Sequence, residues 1–159
     1  MTHGEWQDKA ALAELLARLS AAVDRGDGEA VTACYTRDSV DDHGSFKGTG
    51  REFADLVGAP DGPFSRLHTH HLLGQSIFDV DGDQSWGETF FVMHAVADGH
   101  TSVGFGRYVD YFRRIEGSWK IVYRRVVPDA TIAGDDLDAY WQPGRGRTDP
   151  RYDRLTGPP

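Results

Sequence analysis

The sequence predicts an α+β fold, a cone-shaped barrel in which N-terminal helices pack on a curved, mainly antiparallel sheet. Two observations carry this. Up to residue 58 the apolar residues recur at helical spacing, and from residue 68 the period changes to two. The later half then holds four strand-like runs separated by "DGDQS", "ADGH" and "EGS", the Asp/Gly turns of β-hairpins. Helices first and a meander after them puts the helices on one face of the sheet.

Each element has its own signal. Leu12, Leu15, Leu16, Leu19 and Val23 give residues 10–23 one apolar stripe. Gly26 stops that helix and Asp27 caps the next, whose apolar side is Ala30, Val31, Cys34 and Tyr35. "DSVDDHGSFKG" reads as a strand with turn residues at both ends. Thr49 and Glu52 stand at the capping-box spacing before a third helix with Phe53, Leu56 and Val57 on one face. Gly58 ends it, and "APDGP" is a loop. The four strands start near residues 70, 86, 101 and 118, with Phe90, Phe91, Phe105 and Trp119 expected in the core. Residues 1–130 are expected to form one domain. Residues 131–159, rich in Pro, Gly, Asp and Arg, read as a tail whose Tyr140 and Trp141 suit a lid or a dimer arm.

Composition narrows the function. The chain has 159 residues and a net charge of −8, with no basic cluster beyond the pairs Arg113–Arg114 and Arg124–Arg125. Nucleic acid is therefore not an expected partner. No run approaches the roughly 20 apolar residues of a membrane-spanning helix. "MTHGEWQDKA" lacks the basic start and apolar core of a signal peptide, so the expected location is cytoplasmic, with no membrane partner. The single cysteine, Cys34, rules out an internal disulfide and a cysteine zinc cage, and its place on an apolar helical face makes it buried filler.

The histidines are unevenly spent. Of 7 in the chain, His68, His70 and His71 fall in "LHTHHLLGQ". On a strand His68 and His70 point one way, while His71 shares the other face with Leu73, Gln75 and Ile77. A His-x-His pair needs at least a third ligand to hold a metal, and no glutamate follows within a few residues, so no metal is expected. Asp24 continues the buried side of the first helix, 8 positions after Leu16 and 4 after Ser20. A negative charge in a last helical turn opposes the helix dipole at about 0.3–1 kcal/mol, which suggests a partner such as histidine. A solvated aspartate at a helix end fits these residues equally well.

The ordered segments "YTRDSVDDHGSFKGTGREFADLV", "THHLLGQSIFDVDGD", "WGETFFVMHAV" and "GRYVDYFRRIEGSWKIVYRRVVPD" resemble the SnoaL-like branch of the nuclear transport factor 2-like superfamily, over residues 8–130. That branch includes scytalone dehydratase, a bile-acid dehydratase, hexachlorocyclohexane dehydrochlorinase and polyketide cyclases. The resemblance implies a catalytic pair, Asp24 in "AAVDRGD" and His71 in "THHLLGQ". It also implies Arg124 in "VYRR" and a pocket aromatic, Tyr108 in "GRYVD", on the substrate. His94 falls where a second histidine stands in scytalone dehydratase-like members, although a packed or surface place suits it better; from the residues alone, Asp42 and His43 fit the pocket mouth or a turn and edge role equally, and Asp110 shares the face of Tyr108. One position departs from the pattern. Where these enzymes tend to have tyrosine or lysine, five residues before the aspartate, this chain has Leu19.

The resulting expectation is a cofactor-independent lyase, a dehydratase or a dehydrohalogenase, acting on a small, mostly apolar, alicyclic or polyketide-like molecule. A neutral histidine, with an ordinary pKa near ~6.5, serves as general base and the aspartate fixes its tautomer. Isomerisation, cyclisation or epoxide-hydrolase-like chemistry is the second expectation, and a non-catalytic binding or assembly module the third. A homodimer or homotrimer is expected from the resemblance.

Overall fold

The computed structural model describes residues 3–133. In order they form α1 (His3–Arg25), α2 (Gly28–Cys34), β1 (Tyr35–Asp42), β2 (Lys47–Gly48), α3 (Gly50–Gly58), β3 (His68–Asp81), β4 (Gln84–Ala97), β5 (His100–Ile115) and β6 (Ser118–Ala133). One sheet runs in the order β2-β1-β6-β5-β4-β3, with β1 parallel to β6 and every other pairing antiparallel. This is the expected α+β cone: three helices against a curved, open sheet. No helix among the described residues is long and apolar enough to cross a membrane.

The helices follow their sequence signals. Gly26 takes φ +68° at the end of α1, a left-handed conformation that costs glycine little. The Asp27 carboxylate accepts from the Ala30 N–H at 3.0 Å to start α2. At α3 both halves of the capping box are present, Thr49 Oγ1 accepting from Glu52 N and Glu52 Oε2 from Thr49 N. α1 starts earlier than its stripe predicts, and Asp8 ties its first turns to the sheet. Its carboxylate accepts from Trp119 Nε1 at 3.2 Å and pairs with Arg114 at 2.9 Å.

Three local departures matter for the site. The single strand expected over "DSVDDHGSFKG" is split by a turn at 43–46, where Gly44 has φ +78° and its N–H donates to Asp42 Oδ1. On β3 the register slips between Leu73 and Ser76, so Gly74 and Gln75 oppose one residue of β4. Such a bulge reverses the alternation beyond it. His71 therefore shares its face with Leu73, Ser76 and Phe78, not with Gln75 and Ile77, and Ile77 is exposed. Finally, β6 runs three residues past the expected domain end, and the tail with Tyr140 and Trp141 lies outside the described residues.

The core fills one half of the concave face. Leu12, Leu16 and Leu19 of α1, Val31 of α2, and Phe53 and Val57 of α3 meet Phe78, Phe112, Trp119 and Ile121 of the sheet. Burying each such large apolar side chain contributes about 1.5–3 kcal/mol. The other expected core aromatics lie elsewhere. Phe90 lies beneath the Arg107 guanidinium, 5.9 Å from its ring centroid, and Phe105 is 36% exposed. Phe91 faces the half of the cone that the core leaves open.

Candidate functional site

That open half is a cavity of ≈ 530 Å³. It lies between the end of α1, α3 with the loop after it, and the strand ends where β3 begins and β4 and β6 finish. Phe46, Phe53, Phe64, Phe91, Met93 and Tyr108 make its walls largely aromatic, and His43, Ser45, Thr69 and His71 supply polar groups. A cavity of this size and lining suits a small, mostly apolar molecule.

Asp24 and His71 meet at its wall. The His71 ring donates from Nδ1 to Asp24 Oδ1 at 2.5 Å, and the His71 backbone N–H donates to Oδ2 at 2.9 Å. Thr69 Oγ1, two residues earlier on the same face of β3, donates to Oδ1 at 2.7 Å. Burial alone raises the Asp24 pKa, but the bonds from His71 and Thr69 outweigh it and hold the carboxyl below its usual range. These bonds also offset the unfavourable placement at the C-terminus of α1. With Nδ1 committed to the carboxylate, Nε2 is the nitrogen a bound molecule meets, and only 8% of the side chain is exposed.

Tyr108 lies across the cavity floor. Its ring stacks on Phe91, with centroids 4.4 Å apart and 19° between planes, and the Arg124 guanidinium covers it at 4.0 Å. Burial pushes its phenol well above the ordinary range, so it stays protonated at any working pH. Arg124 itself does not reach the cavity. It forms a two-pronged pair with Asp110, 2.8 Å from Nε and 2.9 Å from Nη2, both residues almost fully buried. The two side chains expected on the substrate hold each other instead, because neither charge survives burial alone.

Known proteins place the chain. A family model described as a SnoaL-like domain matches residues 4–125. The chain belongs to this SnoaL-like family. Comparison with curated proteins finds no match. Among solved structures, a Mycobacterium tuberculosis protein of unknown function is 25% identical, with TM-score 0.71 over 80% of this chain and 75% of that one. A proposed scytalone dehydratase from Novosphingobium aromaticivorans aligns with TM-score 0.77 at 18% identity, covering 92% and 99%. The type 3 hexachlorocyclohexane dehydrochlorinase of Novosphingobium barchaimii aligns with TM-score 0.73 at 17% identity, covering 87% and 97%. The last two share the fold.

Several expected groups of this SnoaL-like domain lie away from the cavity. His94 is exposed on the outer face, paired in register with the exposed His70, because the inward residues of β4 are Phe91, Met93 and Ala95. A one-residue error in strand parity exchanges the faces. His68 is exposed as well, and among the described residues no group of three metal-ligating side chains occurs. Asp42 is not at the pocket mouth. It accepts from Gly44 N and pairs with Lys47 at 3.5 Å, a turn role.

The neighbouring Asp41 takes the inward place, fully buried, with the Tyr35 hydroxyl donating to its Oδ2 and His43 Nδ1 against its Oδ1. This pair was readable in part, since alternation in "DDH" puts Asp41 and His43 on one face and Asp42 on the other. Tyr35 carried no such signal.

Proposed function

We propose that this SnoaL-like protein is a lyase that removes water or hydrogen halide from a small, mostly apolar alicyclic or polyketide-like molecule, with Asp24 and His71 as its general base. The observation that carries this reading is an imidazole locked through Nδ1 to a carboxylate and presented, nearly buried, to an aromatic-walled cavity. His71 Nε2 takes a carbon-bound proton, and Asp24 steadies the imidazolium that forms. Tyr108, a permanently protonated phenol in the floor, suits an oxygen on which negative charge develops. The named activities of the neighbours, scytalone dehydration and dehydrochlorination of hexachlorocyclohexane, are eliminations of this kind.

The experiment is a panel of β-hydroxy ketones and halogenated alicyclic compounds, followed for loss of water or halide with the wild type and Asp24→Asn. Elimination that falls by about 10²–10⁴-fold in the variant, with the fold retained, supports the reading. Equal rates in the two proteins on every compound that reacts contradict it.

A further inference from the structure

We propose that His43, backed by Asp41 and Tyr35, is a second proton-transfer residue of the same cavity, giving a proton to the departing group while His71 takes one from carbon. The inference rests on the lyase reading and adds the half of the reaction that reading leaves open. An elimination moves two charges: a proton leaves carbon and an electron pair leaves with oxygen. A base alone handles the first. Hydroxide is a poor leaving group, and in an apolar cavity it needs a proton as it departs.

The arrangement at His43 repeats the one at His71. On one side Thr69 hydroxyl, Asp24 carboxylate and His71 imidazole stand in series; on the other Tyr35 hydroxyl, Asp41 carboxylate and His43 imidazole do the same. Both imidazoles line the cavity, and in both Nδ1 faces the carboxylate, which leaves Nε2 for a bound molecule. The His43 ring is held flat on Phe53, with centroids 4.6 Å apart and 22° between planes. Ser45 also lines the cavity, but an ordinary hydroxyl is far too weak an acid to do this work near neutral pH.

Burial of Asp41 makes a purely structural explanation insufficient. A carboxylate with no exposed surface is costly unless hydrogen-bonded. Tyr35 satisfies Oδ2, yet Oδ1 has no aligned hydrogen bond and abuts His43 Nδ1 out of line. The His43 imidazole is the group that stands against this oxygen, so the buried carboxylate lies directly behind the ring. The backing is rigid: a Cβ at Gly50 would come within 2.2 Å of the Tyr35 ring. The other charges near this relay are Arg124, beside Asp41 in register on β6, and Asp110 on β5, and those two pair with each other. Asp41 is thus the carboxylate left for an imidazolium at His43.

The step balances. His71 Nε2 takes the proton from carbon, and the C–H electron pair becomes the new double bond. The C–O bond breaks, and its oxygen takes the Nε2 proton of His43 and departs as water. His71 ends protonated and His43 neutral, and exchange with solvent restores both.

Two probes separate the roles, 5-nitrobenzisoxazole and unsubstituted benzisoxazole. In each, a base removes the ring C–H proton and the N–O bond opens to a phenolate read by absorbance. The nitro compound releases a stable anion, whereas the unsubstituted one profits from an acid. His71→Gln is expected to slow both probes by about 10²-fold or more. His43→Gln is expected to slow the unsubstituted probe at least about tenfold more than the nitro probe, and imidazole added to His43→Ala is expected to recover the rate lost on the unsubstituted probe. Equal slowing of both probes by His43→Gln, or no rescue of His43→Ala, overturns the proposal while leaving His71 as base. Turnover that does not depend on His71 overturns the lyase reading itself.

Discussion

His71 donates to the Asp24 carboxylate twice, from its backbone N–H at 2.9 Å and from its ring at 2.5 Å. The pairing joins the last turn of α1 to the start of β3, 47 residues apart, so the helix end and the strand register are set by one carboxylate. A base that must present one nitrogen to a cavity needs its other nitrogen fixed, and here backbone and side chain share the task. The consequences for stability and chemistry can be measured separately.

The first concerns pH. Burial works against the Asp24 charge, and the bonds from His71 and Thr69 more than offset it, so the folded pKa lies below the unfolded value of about 3.9. A depressed carboxyl contributes stability that is fully present above the unfolded pKa and is lost as pH falls through the folded one. The Tm gap between wild type and Asp24→Asn is therefore expected to hold steady above about pH 5 and to shrink as pH drops below about 4. A gap that widens under acid contradicts the assignment. Calorimetry across that range decides it.

A second concerns the buried pair beneath Tyr108. Arg124→Met leaves the Asp110 carboxyl enclosed without its partner, and is expected to cost about 3–5 kcal/mol. Replacing both, with Asp110→Leu added, is expected to recover most of that loss. Urea unfolding of the two variants gives the comparison. A double variant as unstable as the single one shows that the pair does more than neutralise itself.

A third follows from the close approach of Gly50 to Tyr35. Gly50→Ala places a methyl group inside the Tyr35 ring, and one of the two must move. The expected cost is about 1–3 kcal/mol, the range for overpacking a tight core. Because Tyr35 backs Asp41, the variant is also expected to shift the His43 ring resonances in an NMR spectrum, with those of His71 unchanged. Shifts at both histidines, or at neither, contradict the separation of the two relays.

Much of the fold was legible because its signals are local. The helical stripe ending at Val23, the Asp27 cap and the Thr49–Glu52 box each act within four residues, and the hairpin turns carry their own glycines. Most failures at the site are errors of strand face. The bulge at Gly74–Gln75 moves Ile77 to the outer face and puts Ser76 on the face of His71, and nothing in the period marks it. His94 and Asp42 each miss the cavity by one residue of parity, and Met93 and Asp41 take the inward places. Arg124 and Asp110 failed differently. Their positions face inward as expected, but a sequence does not reveal that two opposite charges on paired strands spend themselves on each other.

His71, and not its neighbour His70, is the proposed base of the cavity. The most direct measurement compares His71→Gln with His70→Gln on a compound that the wild type eliminates, or on 5-nitrobenzisoxazole. His70 lies one residue away, exposed on the opposite face of the same strand, so each variant controls for the other. His71→Gln is expected to lose about 10²–10⁴-fold in rate with its fold intact, while His70→Gln keeps wild-type activity. Equal activity in the two variants contradicts it.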